Sequence, residues 1–472
     1  MGEIGLYLGI LATLGVVSMI GIMAMRKVTS SEDFSIGGRK STAVVVAGAI
    51  LGSIVGGGGT VGTAQAAFSK GLVGWWQTLG LGIGCFVLGV FFANHIYKTQ
   101  VETVPQVLMK TYGPKIGPIT SLFGSVAIFF SIMSQLKSFT PLLQSMFPTL
   151  SLPVAAIIGI ILVFCLVLFG GLQGASMVGL FKMLMIYISM VVCGSIAFVK
   201  LEGFSGMFEK LPPSYFNLFA DGSSNLASGV SLCLGVLVTQ IYIQALLSAI
   251  DAKAARNGAL ISCALTLPMG LFGVVIGMYM KVAHPDLLAA QALPQFFLNY
   301  MPSFVAGIFI ATLMITTLGS MAGLTLGVAT MMTRDLYKRI RKEVSDKEAL
   351  YVLRGFIIII CVVAAYFTVS KAAVYIQEFV FLSFALRTCV FLIPMGFAFF
   401  YKGRITPAAG LASVLVGPSV NIIWNLMKEG KQFPLGLDPI FAGLIAGFIA
   451  FIVANEIAKK TSPAAESAEA NV

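Results

Sequence analysis

Gly56, Gly57, Gly58 and Gly59 stand together in the middle of an apolar stretch that runs from about residue 42 to 68. Each glycine costs a helix about 1 kcal/mol relative to alanine, so four in a row predict two half-helices with unpaired backbone groups between them. Inside a bilayer such groups persist only where protein or a polar cavity surrounds them. The exposed carbonyls can then hold a cation. The amides at the start of the second half-helix can hold a carboxylate through the helix dipole. Charged side chains in other apolar stretches point to the same polar interior: Lys137, flanked by Ser134, Gln135 and Ser138; Lys182; and Arg387 within Ser383-Phe384-Ala385-Leu386-Arg387-Thr388. A central Lys or Arg costs about 2.5–3.5 kcal/mol on insertion scales and faces a cavity or a partner. Arg387 is therefore read as meeting an anionic group such as a solute carboxylate. Glu378 lies more than two turns earlier and reaches it only through a bend or water. Lys137 either lines a solute route or reaches the outer interface near Phe147. Lys182 either snorkels to an interface or acts inside.

Other chemistries find no support. Only two histidines occur, His95 and His284, both near expected span ends, and the seven cysteines are odd in number and widely spaced, without a CxxC pair. Neither a zinc site nor a disulfide framework is indicated. No nucleophile with its base and no phosphate-cradling loop emerges, so the chain is not read as an enzyme and no cofactor is expected.

The elements that must position these residues are membrane helices. Of 472 residues, 58% are hydrophobic and 10% charged, where a soluble domain carries about 25% charged. Apolar stretches long enough to cross a bilayer recur from 5–25 to 437–457, about thirteen in all. The first begins Met1-Gly2-Glu3-Ile4 without a basic start and reads as a retained helix. The formal charge of +11 is not a nucleic-acid signal, because its placement follows the loops. Arg26, Lys27, Arg39 and Lys40 follow the first stretch; Lys98, Lys110 and Lys115 the third; Lys253 and Arg256 the seventh. Arg334, Lys338, Arg339, Arg341, Lys342 and Lys347 follow the ninth, Lys402 and Arg404 the eleventh, Lys459 and Lys460 the last. The alternate loops hold few: Lys70, Lys200, Lys210, Lys371, Lys428 and Lys431. The positive-inside rule then sets the N terminus outside and the C terminus in the cytoplasm of a multi-pass cell-membrane protein. One membrane domain over 1–460 is expected, with 334–348 a charged cytoplasmic connector and 461–472 a disordered tail.

Motifs along the chain resemble the sodium:solute symporter family. They begin with Ser31-Glu32-Asp33-Phe34-Ser35-Ile36-Gly37-Gly38-Arg39 and the following helix through Gly62, Ala64 and Ser69-Lys70-Gly71-Leu72-Val73-Gly74-Trp75-Trp76. They continue through Thr103-Val104-Pro105 with Tyr112-Gly113, Gly170-Gly171-Leu172-Gln173-Gly174, and Ala252-Lys253-Ala254-Ala255-Arg256-Asn257-Gly258. Thr333-Arg334-Asp335-Leu336-Tyr337-Lys338-Arg339 and Ile405-Thr406-Pro407-Ala408-Ala409-Gly410, with Trp424-Asn425, complete an ordered set. The resemblance implies an all-α integral membrane fold of about thirteen transmembrane helices. Its core is a ten-helix inverted repeat of the leucine-transporter type with discontinuous helices, here about 42–199 and 224–399. The glycine-broken stretch then matches the seventh, which holds Gly229, Gly235, Thr239, Gln240, Tyr242 and Gln244.

The resemblance also implies a sodium ion between the broken first core helix and the eighth. Its oxygen ligands would be the carbonyls of Gly52, Val55 and Thr316 and the hydroxyl of Ser320. Two departures bear on that site. Gly319 stands where the family has a second hydroxyl, a gap that water or Thr317 fills. Met177-Val178-Gly179 stands where the family has Trp-Thr-Asp, and Lys182 follows three residues later on the same helical face. Two readings of the coupling follow: sodium symport, or a sodium-independent carrier in which Lys182 replaces the ion and couples transport to protons or to nothing. The solute pocket implied by family geometry lies at Gly56–Gly59, with Trp76, Gln77, Gln240, Tyr242, Gln244 and Arg387, although a tryptophan opening a span also serves as an interfacial anchor. The expected activity is alternating-access transport of a small organic solute, more in keeping with a carboxylate than a sugar. A transporter-like sensor is the rival from another class.

Overall fold

A bilayer core offers the backbone no hydrogen-bond partners, so long apolar stretches become helices that satisfy themselves. The computed structural model describes residues 2–25, 39–101, 103–220, 223–341, 343–370, 376–427 and 433–461, with the side chains of 2, 3, 18, 20–25, 165–178, 180, 223, 224 and 346 excepted. The Ser31–Gly38 motif, Arg26, Lys27, Lys342, Lys371, Lys428, Lys431 and the tail from 462 lie outside the described residues.

Helix stands on every apolar stretch read from the sequence. The first is α1 (Gly2–Met25). The second is split into α2 (Ala43–Ile54) and α3 (Thr63–Lys70), and the third runs as α4 (Trp76–Val87) and α5 (Ala93–Thr99) about a π-helical turn. A short α6 (Val104–Tyr112) leads into α7 (Ile116–Met146) and then α8 (Leu152–Lys200). After α9 (Gly203–Lys210), the seventh stretch is again split, into α10 (Ser223–Val236) and α11 (Gln240–Leu247). The remainder is α12 (Ala252–Ala283), α13 (Ala292–Tyr300), α14 (Ser303–Met331), α15 (Asp346–Ser370), α16 (Ile376–Phe400), α17 (Pro407–Leu426) and α18 (Pro439–Thr461). Ten helical segments among the described residues are long and apolar enough to cross a membrane. Two separate apolar stretches are read from the sequence at about 152–170 and 175–199, but α8 is one element of 49 residues across both. The connector also differs: α14 continues through a π-helical turn, Met332–Tyr337, so only residues 341–345 separate it from α15.

The core lies where α2, α7, α8, α12, α14 and α16 pack around the two broken stretches, while α17 and α18 form a tightly packed pair at the edge and α1 lies along α14. That last contact depends on missing side chains. A Cβ on Gly307 would fall 2.1 Å from the Leu6 carbonyl oxygen, and one on Gly9 would fall 2.2 Å from that of Phe304. In lipid, where helices gain little from burying apolar surface, such close backbone approach is what joins them.

Candidate functional site

The break in the second stretch is short. α2 ends at Ile54, and Val55 leaves helical geometry (φ −80, ψ 63). Helical dihedrals resume at Gly57, and Gly58–Gly62 form a π-helical turn in which the Gly62 amide donates to the Gly57 carbonyl at 2.8 Å. Several of the groups that the break exposes are already partnered. The Gly57 amide donates to Gln135 Oε1 at 2.7 Å, and the Thr60 hydroxyl donates to the Gly56 carbonyl at 3.0 Å. The first two of the four positions are crowded as well: a Cβ on Gly57 would lie 2.1 Å from Ser138 Cβ, and one on Gly56 would lie 2.6 Å from Gln135 Oε1.

Three of the four expected cation ligands, Gly52, Thr316 and Ser320, are joined by hydrogen bonds. Ser320 Oγ donates to the Gly52 carbonyl across the α2–α14 junction at 3.0 Å. Lys182, on α8, is only 4% exposed and reaches the same place. Its Nζ donates to the Thr316 carbonyl at 3.4 Å and to Ser320 Oγ at 3.3 Å. The small residues at this crossing make its approach possible: a Cβ on Gly52 would sit 3.1 Å from Gly179 Cα and 3.4 Å from Lys182 Cε. Lys182 is therefore not a snorkelling residue.

On the other side of the break a narrow cavity is lined by Gly58, Gly59, Gln77, Gln135, Tyr242 and Arg387, among others. Arg387 is 1% exposed. Its Nη1 donates to Thr239 Oγ1 at 2.8 Å, Nη2 to Ser131 Oγ at 2.6 Å and to Ser383 Oγ, and Nε to the Ser383 carbonyl at 3.1 Å. The Phe384 ring lies 4.2 Å from the guanidinium carbon. Glu378 is exposed and does not pair with it. Thr239 belongs to the second break, between α10 and α11, where its backbone is extended. Arg387 thus ties α16 to α7 and to the unwound part of the seventh stretch.

Other expected pocket residues are placed elsewhere. Trp76 is buried, donates its Nε1 to the Leu218 carbonyl at 2.8 Å and meets Phe219 edge-on, so it fastens a loop instead of lining the cavity. Gln240 accepts from the Val104 amide at 2.8 Å and so caps α6. Gln244 is buried in α11 and does not line the cavity. Lys137 is buried with its ammonium 5.3 Å from the Phe379 ring centroid, neither at an interface nor in the cavity lining. Ser131 was not singled out by the sequence, although Ser131, Ser134, Gln135 and Ser138 at i, i+3, i+4 and i+7 mark one face of α7. Asp335 was quoted only as a motif residue. It is buried near Gln240's partner, accepting from Thr103 Oγ1 at 3.0 Å, Gln106 Nε2 at 3.1 Å and Ser121 Oγ at 3.2 Å.

The family model for the sodium:solute symporter family matches residues 34–417. The chain belongs to that family. As a sodium:solute symporter it is 24% identical over 387 residues to the high-affinity choline transporter 1 of Drosophila melanogaster, covering 76% of this chain and 61% of that one. It is 23% identical over 469 residues to the osmoregulated proline transporter of Bacillus subtilis (94% and 93%). The match thus spans less than two thirds of the fly relative. Among solved structures, a Na+-coupled sialic acid symporter in a substrate-bound outward-open state gives a TM-score of 0.76 at 14% identity, covering 97% of each chain. A closed nucleobase-cation-symport-1 family transporter gives 0.58 at 14%, covering 92% of this chain and 97% of that one. The fold, helical among the described residues, is therefore of the leucine-transporter type, and the family and the relatives matched are multi-pass membrane transporters and not enzymes.

Proposed function

We propose that this sodium:solute symporter is a secondary carrier that moves a small, carboxylate-bearing organic solute across the cell membrane by alternating access. The observation that supports it is Arg387: a buried guanidinium at the cavity, held by hydroxyls, a carbonyl and an aromatic face, with its formal charge unmatched by an acid among the described residues. Desolvated charge of this kind favours an anionic ligand over a neutral one. Gln77, on the same cavity, has a side-chain oxygen without a hydrogen bond, which suits a donor elsewhere on the solute.

The domain division remains as read from the sequence, with two five-helix repeats over about 42–199 and 224–399. The position of the two breaks, one at the start of each, supports it. So does one end of the molecule for the orientation: Arg39 bonds Gln100, Lys110 bonds the Thr99 carbonyl and Arg339 bonds the Pro114 carbonyl, gathering basic loops on the side assigned to the cytoplasm. Family membership supports sodium as the coupling ion at Gly52, Val55, Thr316 and Ser320. The Lys182 ammonium between two of these groups favours the second reading, a carrier that needs no sodium.

Thermal stability of the purified protein against amino acids, other carboxylates, vitamins and sugars tests the solute class. A bound carboxylate raises the midpoint as its concentration passes its Kd. Arg387→Gln is expected to weaken that ligand by about 30-fold or more, the scale of losing one partner of a buried charge pair, while the variant still elutes as a folded protein. An undiminished response in that variant refutes the role.

A further inference from the structure

The end of the Lys182 side chain occupies the crossing of α2, α8 and α14. Its ammonium donates to the Thr316 carbonyl at 3.4 Å and to Ser320 Oγ at 3.3 Å, and Ser320 passes its own proton to the Gly52 carbonyl at 3.0 Å. One chain of hydrogen bonds thus joins three helices, and three of the four groups expected to ligate a mobile cation belong to it. No acidic side chain among the described residues pairs with Lys182.

The surrounding residues are shaped to this ammonium. A Cβ on Gly319 would lie 3.3 Å from Lys182 Nζ, so the position where the resemblance calls for a second hydroxyl is bare and the amine fills the space. Gly179 and Gly52 let α8 and α2 come close enough for a lysine stem to cross to α14. A sodium ion fits these residues badly. It needs oxygen contacts of about 2.3–2.6 Å, by analogy with the similarly hard calcium ion, and at this crossing it would lie beside a positive charge that already uses two of the oxygens.

We infer that the Lys182 ammonium is a tethered replacement for the coupling cation: it supplies the positive charge that links α2 to α14, and the carrier binds and moves its solute without sodium. This rests on the carrier reading above and narrows its coupling. A tethered charge stays with the protein through the cycle, so an imposed sodium gradient does no work on the solute.

The test compares the purified full-length protein in sodium, potassium and choline chloride at equal ionic strength. The wild type is expected to melt at the same temperature in all three. Lys182→Ala, and Lys182→Met as a variant of closer shape, free the oxygens and are expected to gain a sodium-specific rise that saturates. A saturable sodium response in the wild type that Ser320→Ala removes overturns the inference. So do folded Lys182 variants as indifferent to sodium as the wild type. Proteoliposome uptake of the carboxylate found by screening is expected to differ by less than about twofold between sodium and choline media, and uptake lost in choline overturns the inference as well. If no solute moves in either medium, the carrier reading fails while the melting comparison still decides what Lys182 does.

Discussion

Two buried cations, Lys182 and Arg387, organise this site, and the protein settles them differently. Lys182 has a carbonyl and one hydroxyl, whereas Arg387 has three hydroxyls, a carbonyl and an aromatic face. A second unit charge 4 Å from either costs about 4 kcal/mol at an effective dielectric of 20, enough to decide which ions and solutes enter. The hydroxyls around Arg387 are testable one at a time. Ser131→Ala and Thr239→Val each leave a guanidinium N–H without its acceptor, and each is expected to cost about 1–3 kcal/mol of stability. Because both touch the same group, the double variant should cost measurably less or more than the sum of the two, read from denaturant or thermal melts. Arg387 was visible in the sequence because a charge in an apolar run stands out. Ser383 stands one turn before it, but its distant partners Ser131 and Thr239 were not visible, because a helical serine or threonine more often bonds its own preceding turn, and nothing in the spacing says which ones turn outward.

At the scale of elements, both broken stretches behave as hinges clamped by side chains from elsewhere. The first break gives its Gly57 amide to Gln135 of α7; the second presents Thr239 to Arg387 of α16. Beyond the second break, Gln240 caps α6, and Asp335 at the exit of α14 accepts from Thr103, Gln106 and Ser121. These contacts close one end of the bundle. Hydrogen bonds to a buried carboxylate contribute roughly 1.5–3 kcal/mol each, so Asp335→Asn is expected to loosen that end selectively. Hydrogen exchange in 103–112 should rise several-fold while 131–146 is unchanged; equal exchange in both segments sinks the assignment. The element boundaries were legible wherever apolar runs met glycine or charge. The exceptions have clear causes. The stretches at about 152–170 and 175–199 were divided by apolar length, and a helix runs through the glycines between them at about 1 kcal/mol apiece. The connector after α14 proved shorter because a polar run can still continue a helix by one π-type turn.

At the scale of the molecule, membrane and solute chamber are matched to different helices. In the most apolar window of α14 and its extension 78% of residues are buried, against 22% for α15. Ile358, Ile359, Val362 and Tyr366 of α15 are exposed, as lipid-facing residues are. The first turns of α1, at Gly5–Gly9, lie beside 303–308 at the start of α14, and basic loops gather at the opposite end of that helix. A reporter fused before Gly2 is therefore expected to label from outside intact cells, and one after Thr461 only after permeabilisation; the reverse pattern inverts the orientation.

Composition and period alone determined that this chain is a bundle of membrane helices with a flaw at Gly56–Gly59, because the bilayer punishes any other arrangement of so apolar a sequence. They also marked Arg387 and Lys182, since each is costly unless sheltered. Which groups shelter them was decided only in three dimensions. Ser131 and Thr239 reach Arg387 from two other stretches of the chain, Trp76 and Gln240 turn to fastening loops, and Lys182 crosses to Thr316 and Ser320, more than a hundred residues away. Contacts of that separation follow from how helices cross, and a crossing is set by the packing of small residues such as Gly52 against Gly179, which no periodicity along one strand of sequence encodes.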